Sequence, residues 1–144
     1  MMIADEAAMT EIGARLARIV RAGDVITLSG PLGIGKTTLA RGFIRALGHD
    51  SDVPSPSFAI VQPYDALDPP VWHVDLYRIE DASELEELGL DSAGDAVMLI
   101  EWPERAPENI WPDALGLSLE PAHDGSRSLT ARVPPSWENR WPPR

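Results

Sequence analysis

The sequence predicts an α/β fold, a mostly parallel sheet layered with helices, and three stretches predict it. Val25-Ile26-Thr27-Leu28 is a β-type apolar run that leads into Gly30-Pro31-Leu32-Gly33-Ile34-Gly35-Lys36-Thr37-Thr38. Leu39, Phe43 and Leu47 then recur at spacings of four, one stripe of a helix that Gly48 stops. Further on, Ala96-Val97-Met98-Leu99-Ile100-Glu101 is an apolar run without alternation, the pattern of a parallel strand buried on both faces.

The glycine-rich stretch matches G-x-x-x-x-G-K-[ST] at every fixed position. Glycine lets the backbone turn with no Cβ in the way, so successive N–H groups can converge on phosphate oxygens. In such a loop Lys36 reaches the β- and γ-phosphates and the Thr37 hydroxyl sits on Mg²⁺. The following helix aims its positive N-terminus at the same anion. The flanking strand and helix supply the context the motif requires, so the stretch is read as a nucleotide-binding loop.

A chain of 144 residues can bury a core as one domain. Its content of 44% hydrophobic and 24% charged residues is that of an ordinary globular protein. No apolar run approaches the roughly 18–20 residues of a membrane span, and Met1-Met2-Ile3-Ala4-Asp5-Glu6 lacks the basic start of a signal peptide. Without cysteine there is neither a disulfide nor a thiolate metal site, so a cytoplasmic protein is expected. The net charge of −11 argues against a chain that grips nucleic acid by itself, because that affinity rests on Lys and Arg neutralising phosphates. A role in a nucleic-acid pathway would run through a partner.

Taken in order, Met9, Ile12, Leu16 and Ile19/Val20 form one face of an amphipathic helix, with Asp5 and Glu6 at its N-terminus and Gly23 at its end. It is read as a packing helix whose first residues could come near a nucleotide base. After the loop helix, Val53-Pro54-Ser55-Pro56-Ser57-Phe58 takes an extended path imposed by its prolines, before the strand-like Ala59-Ile60-Val61-Gln62. Beside a phosphate loop, a hydroxyl-bearing segment can sense the γ-phosphate and Mg²⁺, with Ser57 the candidate and Ser55 the runner-up. Tyr64 to Pro70 reads as a surface turn, and Val71-Trp72-His73-Val74-Asp75-Leu76-Tyr77-Arg78 as a second core strand. His73 is read as packed or hydrogen-bonded rather than catalytic, and His49, His73 and His123 have no metal-ligand spacing.

Ser83-Glu84-Leu85-Glu86 resembles a capping box opening an acidic helix. The run ending at Glu101 delivers a carboxylate to the end of a buried strand, as a magnesium site needs, and Asp75 stands near the end of its own strand. One of the two would hold Mg²⁺, largely through its waters, and the other would orient or deprotonate the attacking group. The spacing leaves both divisions open. Leu115 to Leu119 and Ser128 to Val133 read as a late hairpin around His123-Asp124-Gly125. The remainder, 134–144, is rich in Pro and Trp and is expected to be unstructured unless a partner holds it.

Gly33-x-Gly35-Lys36-Thr37-Thr38, Ser55-Pro56-Ser57-Phe58, His73-Val74-Asp75-Leu76-Tyr77-Arg78, Glu84-Leu85-x-x-x-Gly89 and Glu101-Trp102-Pro103-Glu104 occur in this order. The set closely resembles the TsaE (YjeE) family of small P-loop ATPases in bacterial threonylcarbamoyladenosine biosynthesis. The phosphate loop is generic, whereas H-x-D-L-Y-R combined with E-W-P is specific. The resemblance runs from about Asp5 to Val133, so residues 1–133 would be the ATPase domain. It implies a three-layer P-loop NTPase-like fold, Mg²⁺-dependent ATP hydrolysis that is slow in the isolated protein, and a partnership with TsaB and TsaD. These modify adenosine 37 of tRNA, which this chain would meet only through the complex. Carried over, Gly33, Ile34, Gly35, Lys36, Thr37 and Thr38 would hold the phosphates. Thr37, Glu101 and Asp75 would serve the metal, with Lys36, Asp75 and Glu101 as the catalytic set. Ser57, Trp102 and Arg127 would approach the nucleotide, and Glu104 would line the site or the partner face.

Two positions depart from the family's pattern. Pro31 stands where Asp is usual and removes one backbone N–H, and Ile34 stands where Ala is usual and is expected to add bulk beside the phosphates. Two other readings remain: a small-molecule kinase, in which Asp75 or Glu101 activates an acceptor hydroxyl, and a binding module that uses ATP only to switch shape. The 12 Lys and Arg residues form no Arg-rich lid of the kind such kinases carry.

Overall fold

A computed structural model describes residues 1–56 and 60–144. Its strands are β1 (Met2–Ile3), β2 (Val25–Ser29), β3 (Val61–Tyr64), β4 (Val71–Asp75), β5 (Val97–Glu101), β6 (Leu115–Pro121) and β7 (Arg127–Arg132). They form one seven-stranded sheet in the order β1-β7-β6-β2-β5-β4-β3. The central strands β6, β2, β5 and β4 are mutually parallel, whereas β3, β7 and β1 join antiparallel at the edges. The expected late hairpin is β6–β7, and it extends the sheet itself. Pro63 lies in β3, an edge strand, where a missing N–H leaves no central ladder broken.

Helices α1 (Glu6–Ile19) and α2 (Lys36–Ala46) pack on each other over one face of the sheet. The Asp5 carboxylate caps α1, accepting from the Ala8 N–H at 2.8 Å. Met9, Ile12 and Leu16 point inward and meet Ile26, Leu28, Leu115 and Leu117. The two helices approach unusually closely: a Cβ on Gly13 would lie 2.1 Å from the Leu39 carbonyl oxygen, and one on Gly42 would lie 2.2 Å from that of Thr10. The opposite face carries a smaller core of Val74, Leu76, Leu85, Leu90, Met98 and Ile100 under α3 (Ala82–Glu87) and the 3₁₀ turn that follows it. Every residue of β5 is buried, with Val97 and Leu99 turned to one core and Met98 and Ile100 to the other. That explains its unbroken apolar run.

The cap of α3 differs from the sequence expectation. Asp81, two residues before Ser83, takes the cap position and accepts from the Glu84 N–H at 3.1 Å, while Glu84 accepts from the Glu80 N–H at 2.9 Å. A carboxylate is an equally good acceptor there, and Ser83 donates its hydroxyl to it. The C-terminal segment also differs from the unstructured tail expected of its composition. It turns through Pro135–Trp137, buries Trp137 completely and stacks the Arg140 guanidinium 3.8 Å from that ring. Arg140 makes a bidentate pair with Asp24, at 2.6 and 3.1 Å, and donates to the Ile19 carbonyl at 3.0 Å. Its partner is this chain. Among the described residues no helix is long and apolar enough to cross a membrane.

Candidate functional site

The register of the parallel strands assembles the site. Leu28 of β2 lies beside Glu101 of β5, and Glu101 lies beside Asp75 of β4, so three strands end level with one another. The phosphate-loop sequence leaves β2 at that level, where ligands of open α/β sheets bind. The loop turns through Gly30, Gly33 and Gly35, with φ of 146°, 76° and 119°, conformations that only glycine adopts without strain. The α2 helix then begins at Lys36 with no side-chain cap and no acid in its first turn. Its orphan N–H groups and dipole are left for an anion.

Lys36 is 4% exposed, with its ammonium donating to the Gly30 carbonyl and lying 3.6 Å over the Trp102 ring. Burial lowers its pKa from the ordinary 10.5, and the nearby charges of Glu101, Glu104 and Asp75 partly offset that. Trp102 reaches this position because its backbone is left-handed, φ 60° and ψ 50°, immediately after β5. Tyr77 packs against it, ring centroids 4.9 Å apart.

Thr37, one residue into α2, places its hydroxyl 3.1 and 3.2 Å from the two Glu101 carboxylate oxygens. Glu101 is 2% exposed, and its Oε2 also lies 2.7 Å from Nε2 of the wholly buried His73. Asp75 is 5% exposed, and its Oδ1 accepts from the Tyr77 N–H at 2.9 Å. The Thr37 hydroxyl beside the Glu101 carboxylate is a hard-oxygen pair suited to Mg²⁺, which keeps several waters and needs only one or two protein carboxylates. Among the described residues no cluster of three or more His, Asp or Glu side chains could cage a metal.

Arg127, on β7, donates to the Ile34 carbonyl at 3.1 Å and to the Gly125 carbonyl at 2.6 Å, bracing the outer side of the loop. With Asp5, Glu6, Met9, Gly33, Gly35 and Thr38 it lines a cavity of about 250 Å³. The first residues of α1 therefore stand beside the loop. Ile34 lines this cavity too, and its side chain is 5% exposed, packed into the core with residues of α1 and α2. Ser57 lies outside the described residues; Ser55 is exposed. Sequence reasoning did not find the Lys36–Trp102 and Glu101–His73 contacts, although the spacing of His73 and Asp75 puts both on one strand face.

A glycine-rich turn between a parallel strand and an uncapped helix, with a buried lysine and two strand-end carboxylates, defines an α/β protein of P-loop-like fold. Comparison narrows the class. The family model "Threonylcarbamoyl adenosine biosynthesis protein TsaE" matches residues 3–129. The tRNA threonylcarbamoyladenosine biosynthesis protein TsaE of Streptomyces coelicolor is 45% identical over 118 residues, 79% of this chain and 80% of that one. Its Bacillus subtilis counterpart is 40% identical over 116 residues, 79% of this chain and 72% of that one. The crystal structure of Bacillus subtilis YdiB superposes with a TM-score of 0.75 at 29% identity, covering 96% of this chain and 88% of that one. The chain belongs to the TsaE family.

Proposed function

We propose that the protein is a Mg²⁺-dependent, slowly hydrolysing ATPase that supports threonylcarbamoyl modification of tRNA adenosine 37 by engaging TsaB and TsaD. The observation that carries the reading is the buried Lys36 ammonium at the uncapped start of α2, beside the Thr37–Glu101 pair. The t6A pathway is that of the family. A net charge of −11 suits a chain that meets tRNA through its partners.

In this reading the N–H groups from Gly33 to Thr38 bind phosphate oxygens, and Lys36 exchanges the Gly30 carbonyl and the Trp102 face for the β- and γ-phosphates. Thr37 and Glu101 hold the metal, which supplies charge neutralisation at the phosphates when bound. The Thr37 O–H donates to Glu101, which turns its lone pairs outward, as a metal-ligating hydroxyl requires. Glu101 is thus engaged on the metal side, and Asp75 orients the attacking water. Arg127 and the start of α1 border the base and ribose.

The test is ATP turnover by the purified protein alone and with cognate TsaB and TsaD, each with and without tRNA and magnesium. Turnover that requires magnesium and rises with the partners is expected. Bound ATP without turnover in any mixture would make the protein a nucleotide-gated binding module and remove the catalytic role from Asp75.

A further inference from the structure

His73 has no part in the roles assigned so far, yet it is the one imidazole that reaches the site. It is wholly buried on β4, opposite Leu99 in the register, and crosses diagonally to Glu101 on the neighbouring strand. Its Nε2 lies 2.7 Å from Glu101 Oε2, while its Nδ1 is buried with no hydrogen-bond partner among the described residues. A neutral imidazole carries one N–H, and only the tautomer with hydrogen on Nε2 puts a donor rather than a lone pair against a carboxylate. Leaving Nδ1 unsatisfied carries the desolvation penalty of a buried polar atom. An aliphatic side chain would fill the same space in this core without that cost, so packing alone does not account for a histidine here.

We infer that His73 is a positioning residue: its Nε2–H pins Glu101 so that the carboxylate can accept from Thr37 and face the metal in one orientation. This rests on the reading of Thr37 and Glu101 as the magnesium-side pair. The Glu101 carboxylate is held from both sides, by Thr37 on α2 and by His73 on β4. Without His73 the threonine alone, among the described residues, hydrogen-bonds to it, and the buried carboxylate can turn about its terminal torsion and collapse onto Lys36. Partners behind a metal ligand typically contribute about 10–100-fold to metal affinity.

The test compares His73→Leu, His73→Gln and His73→Asn with the wild type by calorimetric titration of ADP in EDTA and across a magnesium series. Gln reaches about as far as Nε2 and can donate to Glu101; Asn is too short. We expect Leu and Asn to raise the magnesium concentration for half-maximal enhancement of ADP affinity about 10–100-fold. Affinity in EDTA should stay within about twofold, and Gln should restore most of the magnesium response. The inference is overturned if Leu and Asn keep the wild-type magnesium response. It is also overturned if they lose affinity equally in EDTA, because that marks a merely structural residue. Should Leu fail to fold, the contrast between Asn and Gln decides. A wild-type protein that binds ADP with no magnesium response would remove the magnesium reading itself, and His73's role with it.

Discussion

Gly42→Ala sets two effects of opposite sign against each other. Alanine in place of glycine within a helix is favourable by about 0.8–1.0 kcal/mol through backbone entropy. Here the new methyl would lie 2.2 Å from the Thr10 carbonyl oxygen and 2.9 Å from its carbon, both backbone atoms of α1. No rotamer change can relieve a contact with backbone, so the helices must part by about 1 Å to reach an ordinary contact. Gly13 makes the reciprocal approach, 2.1 Å from the Leu39 carbonyl for its own Cβ, so the whole α1–α2 contact has to open. Overpacking of a close-packed interior costs about 1–3 kcal/mol, and a backbone clash belongs at or above the top of that range. A net destabilisation of about 2 kcal/mol remains after the propensity gain. Urea unfolding followed by far-UV circular dichroism measures it, and a fall in Tm of roughly 4–8 °C should accompany it. The same opening withdraws Met9, whose methyl would lie 2.9 Å from a Cβ on Gly35, so nucleotide affinity should fall as well. A Gly42→Ala protein as stable as the wild type would refute the packing reasoning.

Two further outcomes are expected. Phosphate favours the charged form of Lys36, whose pKa in the free protein is lowered first by burial. Nucleotide affinity should therefore be full at neutral pH and decline on the alkaline side before pH 10.5, with proton uptake on binding. Lys36→Ala should remove that pH slope and about 10–100-fold or more of the affinity, as loss of a charge-assisted contact does. Calorimetry in buffers of different ionisation heat reads both, and flat wild-type affinity up to pH 10.5 would contradict the burial effect. Arg140→Ala should cost about 2–4 kcal/mol, since it leaves the Asp24 carboxylate, 13% exposed, without its bidentate partner. The clamp lies at the start of β2, away from the loop, so unfolding in urea should shift while ADP affinity holds. A double-mutant cycle with Asp24→Asn isolates the pair, and additive effects would deny it.

What could be read from the chain was what neighbours in sequence impose. Gly30 to Thr38 announces its own turn, because positive φ at Gly30, Gly33 and Gly35 needs glycine and the helix follows at once. The run from Val97 to Glu101 announces a strand buried on both faces. Contacts set by register or by a single backbone reversal were not readable. The sheet order decides that His73 faces Leu99 and reaches Glu101, and no local pattern encodes a diagonal across two strands 28 residues apart. Trp102 covers Lys36 only because its backbone turns left-handed after β5. In the tail, composition pointed to solvent, yet Trp137 finds a completely buried site, and Asp24 is an acid more than a hundred residues away whose charge Arg140 answers. Apolar content near a terminus is uninformative until its partner is known.

The division between the two acids shows the same dependence on tertiary detail. Sequence offers Asp75 and Glu101 as equivalents, each at a strand end. The register sets them side by side, but their neighbours differ: Glu101 meets a hydroxyl and an imidazole, Asp75 a backbone N–H of the turn that follows it. Both are nearly buried, and a buried carboxylate keeps its charge only where donors or cations compensate it. For Glu101 the donors come from two elements, β4 and α2, so moving either helix or strand disturbs it. Asp75 accepts from the Tyr77 N–H, within the turn that follows its own strand. A group tied to α2 and the sheet together is placed to register what occupies the start of α2. That double attachment, rather than any difference in residue type, is the physical ground on which the proposal gives Glu101 the metal side.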